Sequence, residues 1–243
     1  MADETTSQPL LLPVEVERIT AGVEGWFGRE EGRLLYRLAH DADPTGCIVE
    51  IGSWQGKSTI WLAAGARSGR GAHVVSIDPH VGTELRAEGE TTEPALRANL
   101  ARSGLEDCVE VIVSTSAEVA ATWSRGVSLL WIDGDHSYEG ALRDVDLWEP
   151  FLLPEAIVAL HDTFVMPGPE QVVRKRLIAP GGYTSFVHAQ TTTAARRCGR
   201  LTIREGLSRR VGLTRRSLFG IRLRAYDSNR YGFRTLRDLF ERS

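Results

Sequence analysis

The chain has no apolar run approaching the roughly 20 residues that a membrane span requires. Met1 to Pro13 lacks the basic start and apolar core of an export signal. Neither a membrane protein nor an exported one is expected. Cysteine is scarce: Cys47, Cys108 and Cys198 are odd in number, far apart and without metal-ligand spacing. That excludes a disulfide scaffold and a thiolate metal site, and it reads as reduced, mostly buried thiols of a cytoplasmic protein. Arginines outnumber acids from Arg196 onward, but no dense basic block or interleaved aromatic platform accompanies them, so nucleic acid is not an expected partner.

What is present suits one α/β domain with extensions. The 243 residues are 42% apolar and 25% charged, with a formal net charge of −3. The organising stretch runs from Gly46 to Leu62: a buried strand over Cys47 to Ile51, a turn holding Gly52 and Gly56, and a helix that starts near Ser58 and Thr59. A helix start presents unpaired N–H groups to a polar or anionic small molecule. Two common phosphate loops fail on spacing. Only Ser53, Trp54 and Gln55 separate the glycines, one residue short of a P-loop, and no glycine stands at 54 for the dinucleotide pattern. Glu50-x-Gly52-x-x-x-Gly56 remains, an acid on the strand and two glycines on the turn.

The flanking segments alternate between helix and strand. Leu34, Leu35, Leu38 and Ala39 share one face of a covering helix over Glu30 to His40, and His73 to Asp78 forms a second strand that ends in an acid. Asp78 is placed to accept from the hydroxyls of a ribose carried by a ligand on the first turn; a turn aspartate beside Pro79 is the plainer alternative. Val81 to Glu93 reads as a loop beside that ligand, a candidate cover. Pro94 to Arg102 reads as a helix, Val109 to Val113 as the third strand and Ala117 to Trp123 as a helix, with Ser116 able to cap it.

The sharper signal follows. An apolar strand from Val127 discharges into Asp133-Gly134-Asp135-His136-Ser137-Tyr138, then a helix runs from Glu139 to Trp148. A fifth strand over Ala156 to Leu160 ends in His161-Asp162-Thr163. In open parallel sheets the carboxyl ends of strands carry the ligand site, so Asp133, Asp135, His136, His161 and Asp162 are expected to converge on the mouth that holds Gly52 and Asp78. Glu170 to Leu177 reads as a helix, with closing strands at Tyr183 to His188 and Thr191 to Ala195.

With these motifs in view, Glu24 to Arg197 resembles a class I S-adenosylmethionine (SAM)-dependent methyltransferase, and more narrowly the small-molecule O-methyltransferases of the catechol, caffeoyl-CoA and bacterial natural-product types. Their first motif is usually E/D-x-G-x-G-x-G, and Trp54 replaces its middle glycine here. The resemblance implies a Rossmann-like, doubly wound, seven-stranded, mostly parallel sheet with helices on both faces. It implies SAM bound by Glu50, Gly52, Ser53, Gly56, Ser58, Asp78 and Asp133, with Thr115, Ser116 and Ala117 framing the adenine. It also implies a divalent cation, Mg²⁺ or another, on Asp133, His161 and Asp162. Imidazole in that set either favours a softer ion than Mg²⁺ or only hydrogen-bonds nearby. Those relatives place a lysine base three positions after the first acid, where this chain has His136, whose unperturbed pKa of about 6.5 suits proton acceptance. Asp135 is left with three open roles: orienting His136, acting as the base, or ligating the metal.

The implied organisation is an arm over residues 1–25, a methyltransferase domain over 26–200, and an Arg-rich helical extension over 201–243 that packs on the domain or on a partner subunit. The acceptor expected is a hydroxylated small molecule, from secondary metabolism or sugar-bearing, and a homodimer stays open. Three competitors remain: a metal-independent methyltransferase using His136, a nucleotide-binding protein built on Gly52 to Ser58, and a non-catalytic SAM-binding module.

Overall fold

The computed structural model describes residues 10–81, 91–179 and 182–198, with Val211 and Thr214. The expected cover loop at Val81 to Glu93 falls mostly outside these residues, and the Arg-rich extension does so apart from those two positions.

Seven strands form one sheet: β1 (Cys47–Ile51), β2 (Val74–Asp78), β3 (Val109–Val113), β4 (Val127–Ile132), β5 (Leu152–Leu160), β6 (Tyr183–Ala189) and β7 (Thr192–Arg197). Their order is β3-β2-β1-β4-β5-β7-β6. The first five are parallel, and β7 runs antiparallel to both β5 and β6. The chain winds outward from β1 to β3, then returns to lay β4 against β1. Strand order therefore reverses between β1 and β4, and a crevice opens there at the carboxyl edge.

Helices cover both faces because the central strands are apolar on both sides. Ile48, Leu129 and Trp131 pack toward α1 (Pro13–Thr20), α2 (Arg29–His40), α3 (Lys57–Ser68) and α4 (Glu93–Ser103). Val49, Ile51, Leu130 and Ile132 pack toward α5 (Ser116–Ala120), α6 (Tyr138–Trp148) and α7 (Pro167–Val172). The alternation places Glu50 on the α3 side, wholly buried.

Several boundaries move from their expected places. Pro13 opens α1, a two-turn helix where only an apolar patch is legible, and Glu15 Oε2 accepts from the Leu12 N–H at 2.6 Å. The expected helix to Trp123 ends at Ala120, because Trp123 turns in to pack edge-on against Trp148 and donates to the Arg125 carbonyl. β5 begins four residues early, at Leu152, and absorbs Pro154 at a register shift opposite Val127 to Leu129. α7 begins at Pro167, and a π-helical turn over Val173–Ile178 completes it.

Candidate active site

The β1–α3 loop is shaped by its own chain. Gly52 has φ +84°, and a Cβ there would stand 2.3 Å from the Asp133 carbonyl oxygen. The close approach that requires glycine is thus by the β4 terminus, and not by a ligand alone. Gly56, at φ +86°, directly precedes α3. Glu50 braces that helix start from below, accepting from Ser58 Oγ and Thr59 Oγ1, each at 2.6 Å. Burial pushes the Glu50 carboxyl up to about 7 despite those hydroxyl donors. Glu50 and Ser58 therefore meet each other beneath the loop.

Asp78 closes the other side. Its Oδ2 accepts from the Ser53 N–H at 2.8 Å and the Trp54 N–H at 3.0 Å, and its Oδ1 from the His80 N–H at 2.7 Å. Three backbone donors leave the carboxylate one remaining lone-pair direction for a ligand. Ser53 is buried, and its Oγ has no hydrogen-bond partner among the described residues. An orphaned hydroxyl beside an anchored carboxylate fits a polar ligand seated on this loop. Trp54, held at φ +50°, packs its ring 5.8 Å from the exposed Trp26.

Across the β1/β4 crevice, Asp133, His136, His161 and Asp162 bring one ligand atom each within 4.8 Å of one another. His161 Nδ1 lies 3.0 Å from Asp133 Oδ1 and 3.5 Å from Asp162 Oδ2. His136 Nε2 lies 3.5 Å from Asp133 Oδ1 and 3.4 Å from Asp162 Oδ2. Asp162 sits at φ +54°, a conformation rare outside glycine, at the turn leaving β5. Burial alone would lower the His161 pKa, but the Asp133 carboxylate and its neighbours push it up to about 11. A hydrogen bond to Asp133 likewise raises His136. Burial would raise Asp133, yet the two imidazoles hold it below its ordinary value, whereas burial keeps Asp162 above its own. Two carboxylates and two imidazoles at this spacing form a mixed O/N donor set that fits a borderline divalent ion better than Mg²⁺.

Other expected site residues stand elsewhere. Asp135 is not one of the four clustered residues: its Oδ1 accepts from the Ser137 N–H at 2.8 Å, and its carboxylate packs on Gly140 at the start of α6. That backbone bond holds its pKa below the carboxylate norm. Thr115, and not Ser116, caps α5, in a reciprocal pair with Glu118. Ser116 Oγ instead donates to the buried Asp144 of α6. Ala117 is exposed on the first turn of α5.

Glu31 was not singled out by sequence beyond its place in the covering helix. It is buried, and its Oε1 faces His161 Nε2 at 3.2 Å while accepting from the Thr191 N–H and from the hydroxyls of Thr191 and Thr192. Its other oxygen accepts from the Gly28 N–H, three residues upstream. That capping spacing is legible, but the His161 contact is not.

Residues 49–163 match the family described as methyltransferase domain. The matched segment runs from within β1 to just past β5 and is similar to that family. It takes in the glycine loop, Asp78 and all four clustered residues, and it leaves Glu31 and Thr191 outside. A catechol O-methyltransferase of Mycobacterium tuberculosis is 36% identical over 107 residues, 44% of this chain and 43% of that one. A transmembrane O-methyltransferase of Propithecus coquereli is 29% identical over 150 residues, 58% of this chain and 49% of its own length. The chain thus spans less than half the length of these curated relatives. The O-methyltransferase TomG of Streptomyces achromogenes, solved in complex with SAM, shares the fold of the methyltransferase domain. Its TM-score is 0.55 at 19% identity, over 82% of this chain and 92% of that one. Among the described residues no helix is long and apolar enough to cross a membrane.

Proposed function

We propose that the chain is a SAM-dependent O-methyltransferase acting on a hydroxyl of a small secondary-metabolite or sugar-bearing acceptor, assisted by a divalent cation on Asp133, His161 and Asp162. One observation carries the reading. The β1–α3 loop and the four-residue cluster meet at a single sheet edge, with the Asp133 backbone against Gly52. A donor seated on the loop and an acceptor at the cluster are then neighbours, and such alignment lowers the barrier of an in-line displacement.

SAM, when bound, supplies a methyl group on a positively charged sulfur. An acceptor oxygen would take that methyl group as the sulfur–methyl bond broke, with S-adenosylhomocysteine as the leaving product. Ser53 and Asp78 border the loop that holds the donor, and Thr115 to Ala117 at the start of α5 are assigned to its adenine. The hydroxyl proton passes to His136 Nε2, which is part-exposed at the mouth. Asp133 and Asp162 favour the protonated form of His136, and matching their charge with another cation makes it a readier acceptor of that proton. A divalent ion, when bound, supplies that positive charge and favours the deprotonated hydroxyl.

A metal-free variant of the reading draws on the raised pKa of His161, since an imidazolium between Asp133 and Glu31 itself places positive charge in the cluster. Titration calorimetry with S-adenosylhomocysteine and with ATP, followed by turnover of a panel of hydroxylated acceptors with and without EDTA, separates the cases. The expected result is micromolar S-adenosylhomocysteine binding that survives EDTA, and turnover that does not. Turnover indifferent to EDTA selects the metal-free variant, and binding of ATP alone overturns both.

A further inference from the structure

Outside the matched segment, Glu31 is held by an unusual number of donors among the described residues. It rides on the first turn of α2, 3% exposed, yet it receives a backbone N–H from Gly28, another from Thr191, and two threonine hydroxyls. A buried carboxylate needs donors of this kind to offset its lost hydration. Among the described residues the imidazole it faces is His161, whose ring it meets at Nε2, the edge turned away from the cluster. That nitrogen has no hydrogen-bond partner of ideal geometry among the described residues, so the ion-pair contact at 3.2 Å is what it has. The rings of Phe27 and Trp131 stand 5.8 Å and 5.7 Å from the imidazole and restrict its rotation.

We propose that Glu31 is a positioning residue for the cation site: by holding the Nε2 edge of His161, it commits the Nδ1 edge to the space shared with Asp133, Asp162 and His136. The inference rests on the metal-assisted reading above. An imidazole that ligates through one nitrogen needs the other protonated, and a carboxylate at that second nitrogen fixes both ring orientation and tautomer. Thr191 extends the arrangement: its carbonyl accepts from the Thr163 N–H and Oγ1 at 2.8 Å each, tying the β6–β7 turn to the residues just after His161. The support for one ligand thus comes from α2 and from the far edge of the sheet, both outside the segment that carries the domain's own motifs.

The test is a Co²⁺ titration of the full chain, read by visible absorption, on wild type, Glu31→Gln and Glu31→Asp, with near-ultraviolet circular dichroism verifying the fold of each. Losing a partner of this kind typically weakens metal binding about 10–100-fold. Glu31→Gln is expected to weaken Co²⁺ by that factor and alter the absorption band, and Glu31→Asp, which keeps the charge, to recover part of the loss. A wild type that takes up no Co²⁺ overturns the metal-assisted reading and the inference with it. A wild type that binds, beside a folded Glu31→Gln that binds equally well, overturns the inference alone. Should Glu31→Gln not fold, nitrogen-15 spectra of the Zn²⁺-loaded wild type decide. Coordination of His161 through Nδ1 with a proton on Nε2 supports the assignment, and coordination through Nε2 overturns it.

Discussion

A Cβ on Gly52 would stand 2.3 Å from the carbonyl oxygen of Asp133, so the donor loop and the first acid of the cluster are packed backbone to backbone. Neither can shift without the other. Gly52→Ala combines a clash against backbone with a left-handed φ of +84°, and the conformation alone costs about 1–2 kcal/mol. Denaturant melts are expected to show a loss of about 3 kcal/mol or more, or no soluble protein at all. Gly56→Ala, at φ +86°, would place its Cβ 3.2 Å from the Leu96 side chain, which can give way, so a loss of about 1–2 kcal/mol is expected there. Equal losses at the two positions would show that the Asp133 contact is unimportant.

Glu50 carries a pH signature. Its folded pKa of about 7 lies above the ordinary carboxylate value of 4.5, so between those values the folded chain holds a proton that the unfolded chain has released. The Glu50 contribution to stability is therefore greatest below pH 4.5 and is lost as pH rises toward 7. Glu50→Gln keeps the shape without the charge. Above pH 7 it is expected to melt higher than wild type by about 1–3 kcal/mol, and to flatten the dependence between pH 4.5 and 7. Parallel stability curves for the two proteins would mean that Glu50 is ionised in the fold.

Asp78 serves the loop before it serves a ligand, since its carboxylate accepts from the N–H groups of Ser53, Trp54 and His80. Asp78→Asn turns an amide toward those donors and leaves at least one unpaired. The expected cost is about 1–3 kcal/mol of stability, together with at least about tenfold weaker S-adenosylhomocysteine binding. Weakened binding at unchanged stability would instead locate its role wholly in the ribose contact.

Asp135 and His136 separate on turnover. Asp135→Asn is expected to cost about 0.5–1 kcal/mol by weakening the start of α6, and to leave turnover within about twofold. His136→Gln is expected to lower kcat by about 10²-fold or more while S-adenosylhomocysteine affinity holds. A large loss of turnover in Asp135→Asn would return Asp135 to the catalytic group.

The sequence by itself determined the architecture and the edge at which chemistry gathers. β1, β2 and β4 are legible because a strand buried on both faces must be a short apolar run, and the polar residues that end each run fall on the carboxyl edge where chain winding opens the crevice. The convergence of Asp133, His136, His161 and Asp162 follows from that logic and from the motif spacing. Tertiary structure decided what each side chain does on arrival. Asp133 and Asp135 stand two apart and look equivalent in the chain, yet the turn after β4 sends one into the cluster and folds the other onto Gly140. Glu50, Ser58 and Asp78, expected as ligand contacts, also hold the loop and the helix start together, and only the folded chain shows those hydrogen bonds. Glu31 lay hidden for the same reason. Local pattern reports the period of burial along one element, whereas a buried charge is satisfied by groups from other elements, and only packing brings α2, β5 and the β6–β7 turn to one point.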